Sequence, residues 1–289
     1  MPSIPLEVRE CAIYLYASEE AAEEGTQAGG SGFLVIIPVS EHDEEGATFY
    51  AVTNVHVIAN GFTCVRLNTL DGGHASVALR AEDWVHHPEG DDLAIAELDL
   101  PREFRELRIK AILPDSFVDG GDPTIFGVGQ DVYMIGRYVS HEGRQQNLPT
   151  ARFGNIAQLP YEPVQTASGL TQQAFLVDMR SLAGYSGAPV FVYRSRPDLN
   201  TNPDSWVTGF EQRLLGIDSG HLPALGRVLE KDKRAAVEPA LWAEQNSGMA
   251  TVIPAWRLTE LLFDEDVIRQ REEGEQAWLN ARGDDPAAS

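Results

Sequence analysis

The chain has 289 residues, 43% of them hydrophobic, enough for one large domain or two small ones around a true core. Its 26 glycines and 17 prolines are scattered without period, which excludes a collagen-like or low-complexity chain. With 44 acidic against 22 basic residues the net charge is −22, so phosphate backbones and anionic lipid are repelled and neither nucleic acid nor membrane is expected as a partner.

From the N-terminus, Met1 to Glu7 has no basic region followed by an apolar stretch, so no secretory signal is read there. The first three-quarters of the chain reads as β. Short runs rich in Val, Ile, Tyr and Phe recur between turn signals at 8–17, 32–38, 48–53, 63–68, 75–86, 93–98, 131–138, 150–159, 173–178, 189–193 and 206–217. So many short strands predict a sandwich or closed barrels, and nothing alternates strand with full helix as a doubly wound fold would. Two stretches break the pattern. Leu222 to Gln245 reads as helical, interrupted at Pro239. Pro254 then opens a helix striped by Ala255, Leu258, Leu261 and Leu262, and a further helix is predicted from Asp266 to about Ala281 before a frayed tail. No apolar run approaches the roughly 18 residues that a membrane-spanning helix needs. Cys11 and Cys64 cannot make a disulfide framework, although one bridge between them stays open, and a cytoplasmic, reducing location is the simplest reading. No Cys/His spacing suits zinc, so neither metal nor cofactor is expected.

Three segments carry chemistry-bearing residues. In Thr53-Asn54-Val55-His56-Val57-Ile58 a histidine follows a β run; alone, it reads more readily as a core or capped residue than as a catalytic one. In Asp91-Asp92-Leu93-Ala94-Ile95 a carboxylate stands at the mouth of a strand apolar on both faces. A turn aspartate is the default there, but a carboxylate in apolar surroundings needs hydrogen-bond partners, and an imidazole N–H is one. In Gly184-Tyr185-Ser186-Gly187-Ala188-Pro189 a serine sits between glycines in a tight turn leading into a strand. A serine hydroxyl becomes a nucleophile when a base removes its proton, histidine suits that role near neutral pH, and its far nitrogen needs an anchoring acid. The developing oxyanion needs preorganised N–H donors.

These strings, with Gly30-Ser31-Gly32-Phe33, stand in the order His, Asp, Ser and resemble trypsin/chymotrypsin-like serine peptidases, especially the bacterial branch with HtrA-type proteases and glutamyl endopeptidases. The resemblance covers about 8–262. It implies an all-β fold of two six-stranded barrels with C-terminal helices: barrel one at about 8–115, barrel two at about 116–253, a closing helix at 254–262, a helical insertion at 221–248 and an acidic helical extension over 263–289. It makes His56 the general base, Asp92 its orienting acid and Ser186 the nucleophile, with the N–H groups of Gly184 and Ser186 as the oxyanion hole. Leu215 to Gly220 resembles the strand that pairs with substrate; there Ser219 is expected to hydrogen-bond Asp92 and Gly220 to face the peptide. Arg180 falls where the family places the floor of its primary pocket and would select acidic side chains; the alternative is that it pairs with Asp178 or Asp218. Asp218 in the pocket would select basic side chains instead, and His221 borders it. Tyr185 departs from the family pattern and adds bulk beside the oxyanion turn. No PDZ-sized domain follows Leu262, so the peptide-sensing HtrA arrangement is not expected.

The expected activity is that of a serine endopeptidase acting on protein or peptide substrates through an acyl-enzyme. Two further readings are a catalytically silent scaffold that binds proteins, and a protease restrained by the 221–248 insertion until a regulatory partner moves it. Natural substrate, residue preference and oligomeric state are not written in the sequence.

Overall fold

The computed structural model describes residues 4–38, 47–100, 106–120, 126–139, 143–195, 210–228 and 241–283. The chain starts with a 3₁₀ turn (Leu6–Cys11), then β1 (Ala12–Tyr16), α1 (Glu19–Glu24), β2 (Ala28–Pro38), β3 (Ala47–Thr53), α2 (Val55–Ala59), β4 (Cys64–Asn68), β5 (His74–Val77), β6 (Val85–His86) and β7 (Ala94–Leu98). These strands form one seven-stranded sheet in the order β5-β4-β1-β2-β3-β7-β6. There follow β8 (Asp131–Gly136), β9 (Thr150–Gln158), β10 (Val164–Gln165), β11 (Thr171–Gln172), β12 (Phe175–Asp178), β13 (Pro189–Ser195), β14 (Phe210–Arg227) and β15 (Trp242–Pro254). Six of them close a barrel, β12-β15-β14-β13-β8-β9, while β10 and β11 pair with each other. Two helices end the described chain, α3 (Ala255–Leu262) and α4 (Glu265–Gly283).

The protein is therefore mostly β, with one closed barrel, a second sheet and few helices. Of the two six-stranded barrels expected, one is found as a closed barrel. The first half has seven strands, and its terminal strands β5 and β6 are not paired with each other among the described residues.

Several local readings also change. The strand expected over 75–86 breaks after Val77, where Asp83 turns back on Arg80: the Arg80 N–H donates to Asp83 Oδ2 (2.8 Å) and closes a 3₁₀ turn, leaving β6 as a separate piece. The acidic stretch after β1 holds a helix, because Ser18 Oγ accepts the Ala21 N–H (3.1 Å) and Gly25, at φ 65°, ends it. The helical reading of Leu222 to Gln245 is overturned. Strands β14 and β15 run past the barrel as an antiparallel ribbon, paired from Gly216↔Pro254 to Arg227↔Trp242. Pro223 and Gly226 are poor helix formers, and cross-strand pairing outweighs the local Leu/Ala signal. Residues 229–240 of that stretch, with Pro239, lie outside the described residues.

Three of the four buried clusters among the described residues hold the halves. One lies inside the barrel around Met134, Phe175, Val190 and Val252. Another lies under the first sheet around Leu15, Leu34, Val57 and Trp84. The third spans the seam: Phe33, Val35, Val52 and Ile95 of the first sheet meet Tyr133, Ile135, Phe191 and Leu214 of the barrel and Leu258, Leu261 and Leu262 of α3. Cys11 is buried in the seam and Cys64 against Tyr14 and Tyr16, both as free thiols, so the bridge left open by the sequence is not made. Burial pushes Cys11 up to about 12 and Cys64 up to about 11, which leaves both unreactive.

Candidate active site

The seam brings the chemistry-bearing segments together. β3 ends at Thr53, and the chain turns at once into α2, a helix too short to stand without its neighbours. Val57 and Ile58 bury one side of it in the first core, so His56 is turned to the opposite, half-exposed side. Asn54, fully buried at the helix start, donates from Nδ2 to the Asp92 carbonyl (2.8 Å). Asp92 then grips the histidine twice: Oδ1 accepts the His56 backbone N–H (2.9 Å) and Oδ2 lies 2.6 Å from Nδ1. The Asp92 side chain is 12% exposed against 38% for His56, so the acid is shielded and the imidazole edge is open. Holding the proton on Nδ1 leaves Nε2 with its lone pair, the arrangement a general base requires.

From the barrel side comes the Ser186 turn. Gly184 (φ 96°) and Gly187 (φ 86°) take conformations that other residues resist. At Gly187 there is no room either, since a Cβ would stand 2.2 Å from the Ser31 carbonyl oxygen and 2.4 Å from Thr53 Oγ1. The turn is held by main-chain bonds: Tyr185 N–H to Leu182 O (3.2 Å), Gly187 N–H to Asp218 O (2.9 Å) and Ala188 N–H to Tyr185 O (2.7 Å). Ser31 holds its other side, donating its N–H to Ser186 O (2.9 Å) and its hydroxyl to Gly184 O (2.7 Å). The amides left without a partner among the described residues include those of Gly184 and Ser186, the two expected as oxyanion donors.

The two sides meet over Gly30. A Cβ there would lie 2.9 Å from both Val57 methyls, one residue beyond the histidine, and 3.3 Å from the Ser186 carbonyl. Ser186 Oγ and His56 Nε2 are not hydrogen-bonded to each other among the described residues.

The expected bond from Ser219 to Asp92 is absent and is replaced by a relay. Gln172 Oε1 accepts the Asp92 backbone N–H (2.8 Å), and Gln172 Nε2 donates to Ser219 Oγ (3.2 Å). Ser219 Oγ in turn lies 2.9 Å from Thr251 Oγ1. Gln172 thus ties the acid to β14 and β15. Gly220 (φ 116°) is open, with nothing within 4 Å of where a Cβ would stand. Arg180 is exposed and pairs with neither Asp178 nor Asp218 among the described residues. Asp218 is fully buried; Oδ2 accepts the Ser181 hydroxyl (2.8 Å), while Oδ1 has no hydrogen-bond partner among the described residues. Burial pushes this carboxyl up to about 8. At neutral pH it is largely protonated, so the charge expected to select basic side chains is missing. Tyr185 does not crowd the oxyanion turn: its ring is buried in the barrel core under Arg152, and its hydroxyl bonds to Thr150.

Among the described residues no group of three or more His, Cys, Asp or Glu side chains could hold a metal ion, and no helix is long and apolar enough to cross a membrane.

Comparison with known proteins adds little. No family model matches the sequence. No curated protein matches it either. Among solved structures, the crystal structure of Deg5 aligns with a TM-score of 0.45 at 18% identity, over 75% of this chain and 82% of Deg5.

Proposed function

We propose that this chain is a trypsin-like serine endopeptidase, with His56, Asp92 and Ser186 as its catalytic residues. The observation that carries the reading is the double grip of Asp92 on His56, set across Gly30 from a Gly-framed serine whose own amide and that of Gly184 are unengaged.

In this mechanism a peptide carbonyl docks with its oxygen toward those two amides. The Ser186 hydroxyl attacks the carbonyl carbon as its proton passes to His56 Nε2. The negative charge that appears on the former carbonyl oxygen is met by the two N–H groups, each worth about 10²–10³ in rate at such sites. Asp92 stabilises the imidazolium through Nδ1–H without taking the proton. His56 then protonates the leaving amine, the C–N bond breaks, and an ester to Ser186 remains. A water molecule, deprotonated by His56, hydrolyses that ester and restores the hydroxyl. Closing the gap between Ser186 Oγ and His56 Nε2 is part of substrate binding on this view, since catalytic hydrogen bonds commonly tighten only in the complex.

The substrate is a protein or peptide in extended conformation. Two unbridged thiols fit a cytoplasmic, reducing compartment. The helical form expected for the 221–248 insertion is not found at 221–227 and 242–248, which are strands. A fluorophosphonate probe tests the reading. It should label the unmodified protein, fail on Ser186→Ala and label His56→Ala far more slowly. Equal labelling of Ser186→Ala, or none of the unmodified protein, would point instead to a silent binding scaffold.

A further inference from the structure

Asp92 stands outside every strand, since β7 begins only at Ala94. No sheet ladder fixes its main chain, and among the described residues its N–H and C=O have no main-chain partner. Two side-chain amides hold them instead. Asn54 Nδ2, from the first half, donates to the Asp92 carbonyl (2.8 Å). Gln172 Oε1, from the barrel half, accepts the Asp92 N–H (2.8 Å). A buried peptide needs both groups satisfied, so the two amides together set the plane of the chain on either side of the Asp92 Cα.

Gln172 closes β11 in the small β10-β11 hairpin, and its side chain is buried. Its amide cannot turn over without setting an NH₂ group against the Asp92 N–H, so its orientation is fixed. Nε2 then donates to Ser219 Oγ (3.2 Å), which lies 2.9 Å from Thr251 Oγ1, and Thr251 Oγ1 donates to Gly220 O (3.3 Å). With Ser219 donating to Thr251, every donor in this chain points the same way, from the acid into β14 and β15. Bonds aligned in this manner polarise and strengthen one another.

The direction of the Asp92 carboxylate depends on this hold. Oδ1 accepts the His56 N–H while Oδ2 meets Nδ1, and both bonds are made only for a narrow range of settings of the Asp92 backbone. We propose that Gln172 is a positioning residue for the acid–base pair, fixing from the barrel side the peptide from which Asp92 reaches His56. What the pair does rests on the endopeptidase reading; that Gln172 holds it does not. Ser186 and Gln172 both belong to the barrel half, so the brace sets the acid, and through it the imidazole, in the frame of the nucleophile. Without it, Asp92 would be placed by the first half alone.

The test compares two substitutions of similar length. Gln172→Met keeps the size and loses both hydrogen-bonding ends. Gln172→Glu keeps an oxygen for the Asp92 N–H and, being buried, stays protonated and donates to Ser219 as the amide does. In the Ser186→Ala background, where nothing is turned over, proton NMR reads the His56 Nδ1–H, which resonates far downfield in a short bond to a carboxylate. Gln172→Met should move this resonance upfield or remove it through exchange with water, and Gln172→Glu should restore it. With Ser186 intact, Gln172→Met should react with a fluorophosphonate at least about tenfold more slowly at an unchanged half-saturating probe concentration, and Gln172→Glu should recover most of that rate. An unmoved resonance in Gln172→Met, or equal losses in both variants, overturns the proposal, since the hydrogen bonds are then not what the side chain supplies. Exchange of the Asp92 amide at the rate of an open loop in the Ser186→Ala protein overturns it as well, whether or not either substitution folds. Failure of the unmodified protein to label would sink the endopeptidase reading and leave the resonance and the exchange rate to judge Gln172.

Discussion

Asp218 is a buried carboxyl with one oxygen bonded to the Ser181 hydroxyl. Burial raises it from 3.8 to about 8, and this fixes the sign of its effect on stability. Below pH 3.8 both the folded and unfolded chains carry the proton. Between 3.8 and about 8 the folded chain keeps a proton that the unfolded chain has lost, so this contribution to stability falls as pH rises and is gone above about 8. Asp218→Asn keeps an acceptor for Ser181 but cannot ionise. Urea midpoints of this variant should therefore gain on the unmodified protein as pH rises from 5 to 8; a constant difference would show that Asp218 does not titrate in this way. Gly187 is constrained twice, by φ 86° and by the Ser31 carbonyl 2.2 Å from any Cβ. Gly187→Ala should cost about 1–3 kcal/mol from backbone strain alone and should slow fluorophosphonate labelling by at least about tenfold, because relief of the clash moves Ser186. The strings around His56, Asp92 and Ser186 were readable because each keeps its chemistry within a few neighbouring residues. Gln172 was not, because its bond reaches 80 residues back to Asp92 and no local pattern marks it; Ser31 stands in one of the resembling strings, but its bond 153 residues forward to Gly184 is not written there.

Among the elements, α3 is the most legible. Its stripe of Ala255, Leu258, Leu261 and Leu262 is fully buried, as the spacing requires, and Pro254 stands at its N-cap. The ribbon was the least legible, because Leu and Ala at 222–225 suit a helix locally while only the distant partner strand makes them β. What the stripe does not disclose is a charge cluster at the same helix. Arg257 donates from Nε to Asp91 (2.5 Å), from Nη2 to Glu89 (2.6 Å) and from Nη1 to Glu260 (2.6 Å), and its side chain is mostly buried. It fastens α3 to the turn that ends in Asp92. His87 lies inside this cluster, facing Asp91 and Glu260, and burial with the nearby Arg257 charge depresses its pKa. Arg257→Met leaves the Asp91 carboxylate buried without its partner and should cost about 3–5 kcal/mol in urea unfolding. Adding Asp91→Asn should recover part of that loss, since the uncompensated charge is then gone; additive losses would show that the pair is not coupled.

Over the whole molecule the candidate site exists only because the two halves are held in one register, and the fastening lies at the segment joining β8 to β9. Its residues 143–147 are seated on the first sheet by Arg66. From β4 this side chain, fully buried, donates Nε to Asn147 Oδ1 (2.8 Å), Nη2 to Gly143 O (2.9 Å) and Nη1 to Ala22 O (3.0 Å), while the guanidinium stands 4.5 Å over the Tyr16 ring. Asn147 and Asn68 complete the junction, each donating to the other. Earlier in the same segment, Arg137 and Val139 lie 3.1 Å from where a Cβ of Gly184 would be, so the Ser186 turn and the seam share one stretch of chain. A fixed charge at Arg66 carries no motif, yet it satisfies Asn147 Oδ1 and Gly143 O across the seam and Ala22 O within its own half. Arg66→Met keeps the stem and removes every donor. It should lower stability by about 3 kcal/mol, because several buried acceptors lose their partners at once. In the Ser186→Ala background, which prevents self-cleavage, an added protease should nick the 143–147 segment of Arg66→Met well before the rest of the chain. Labelling of Arg66→Met with Ser186 intact should slow in parallel. Unchanged proteolysis and labelling would mean that the barrel positions its own oxyanion turn without help from the first sheet.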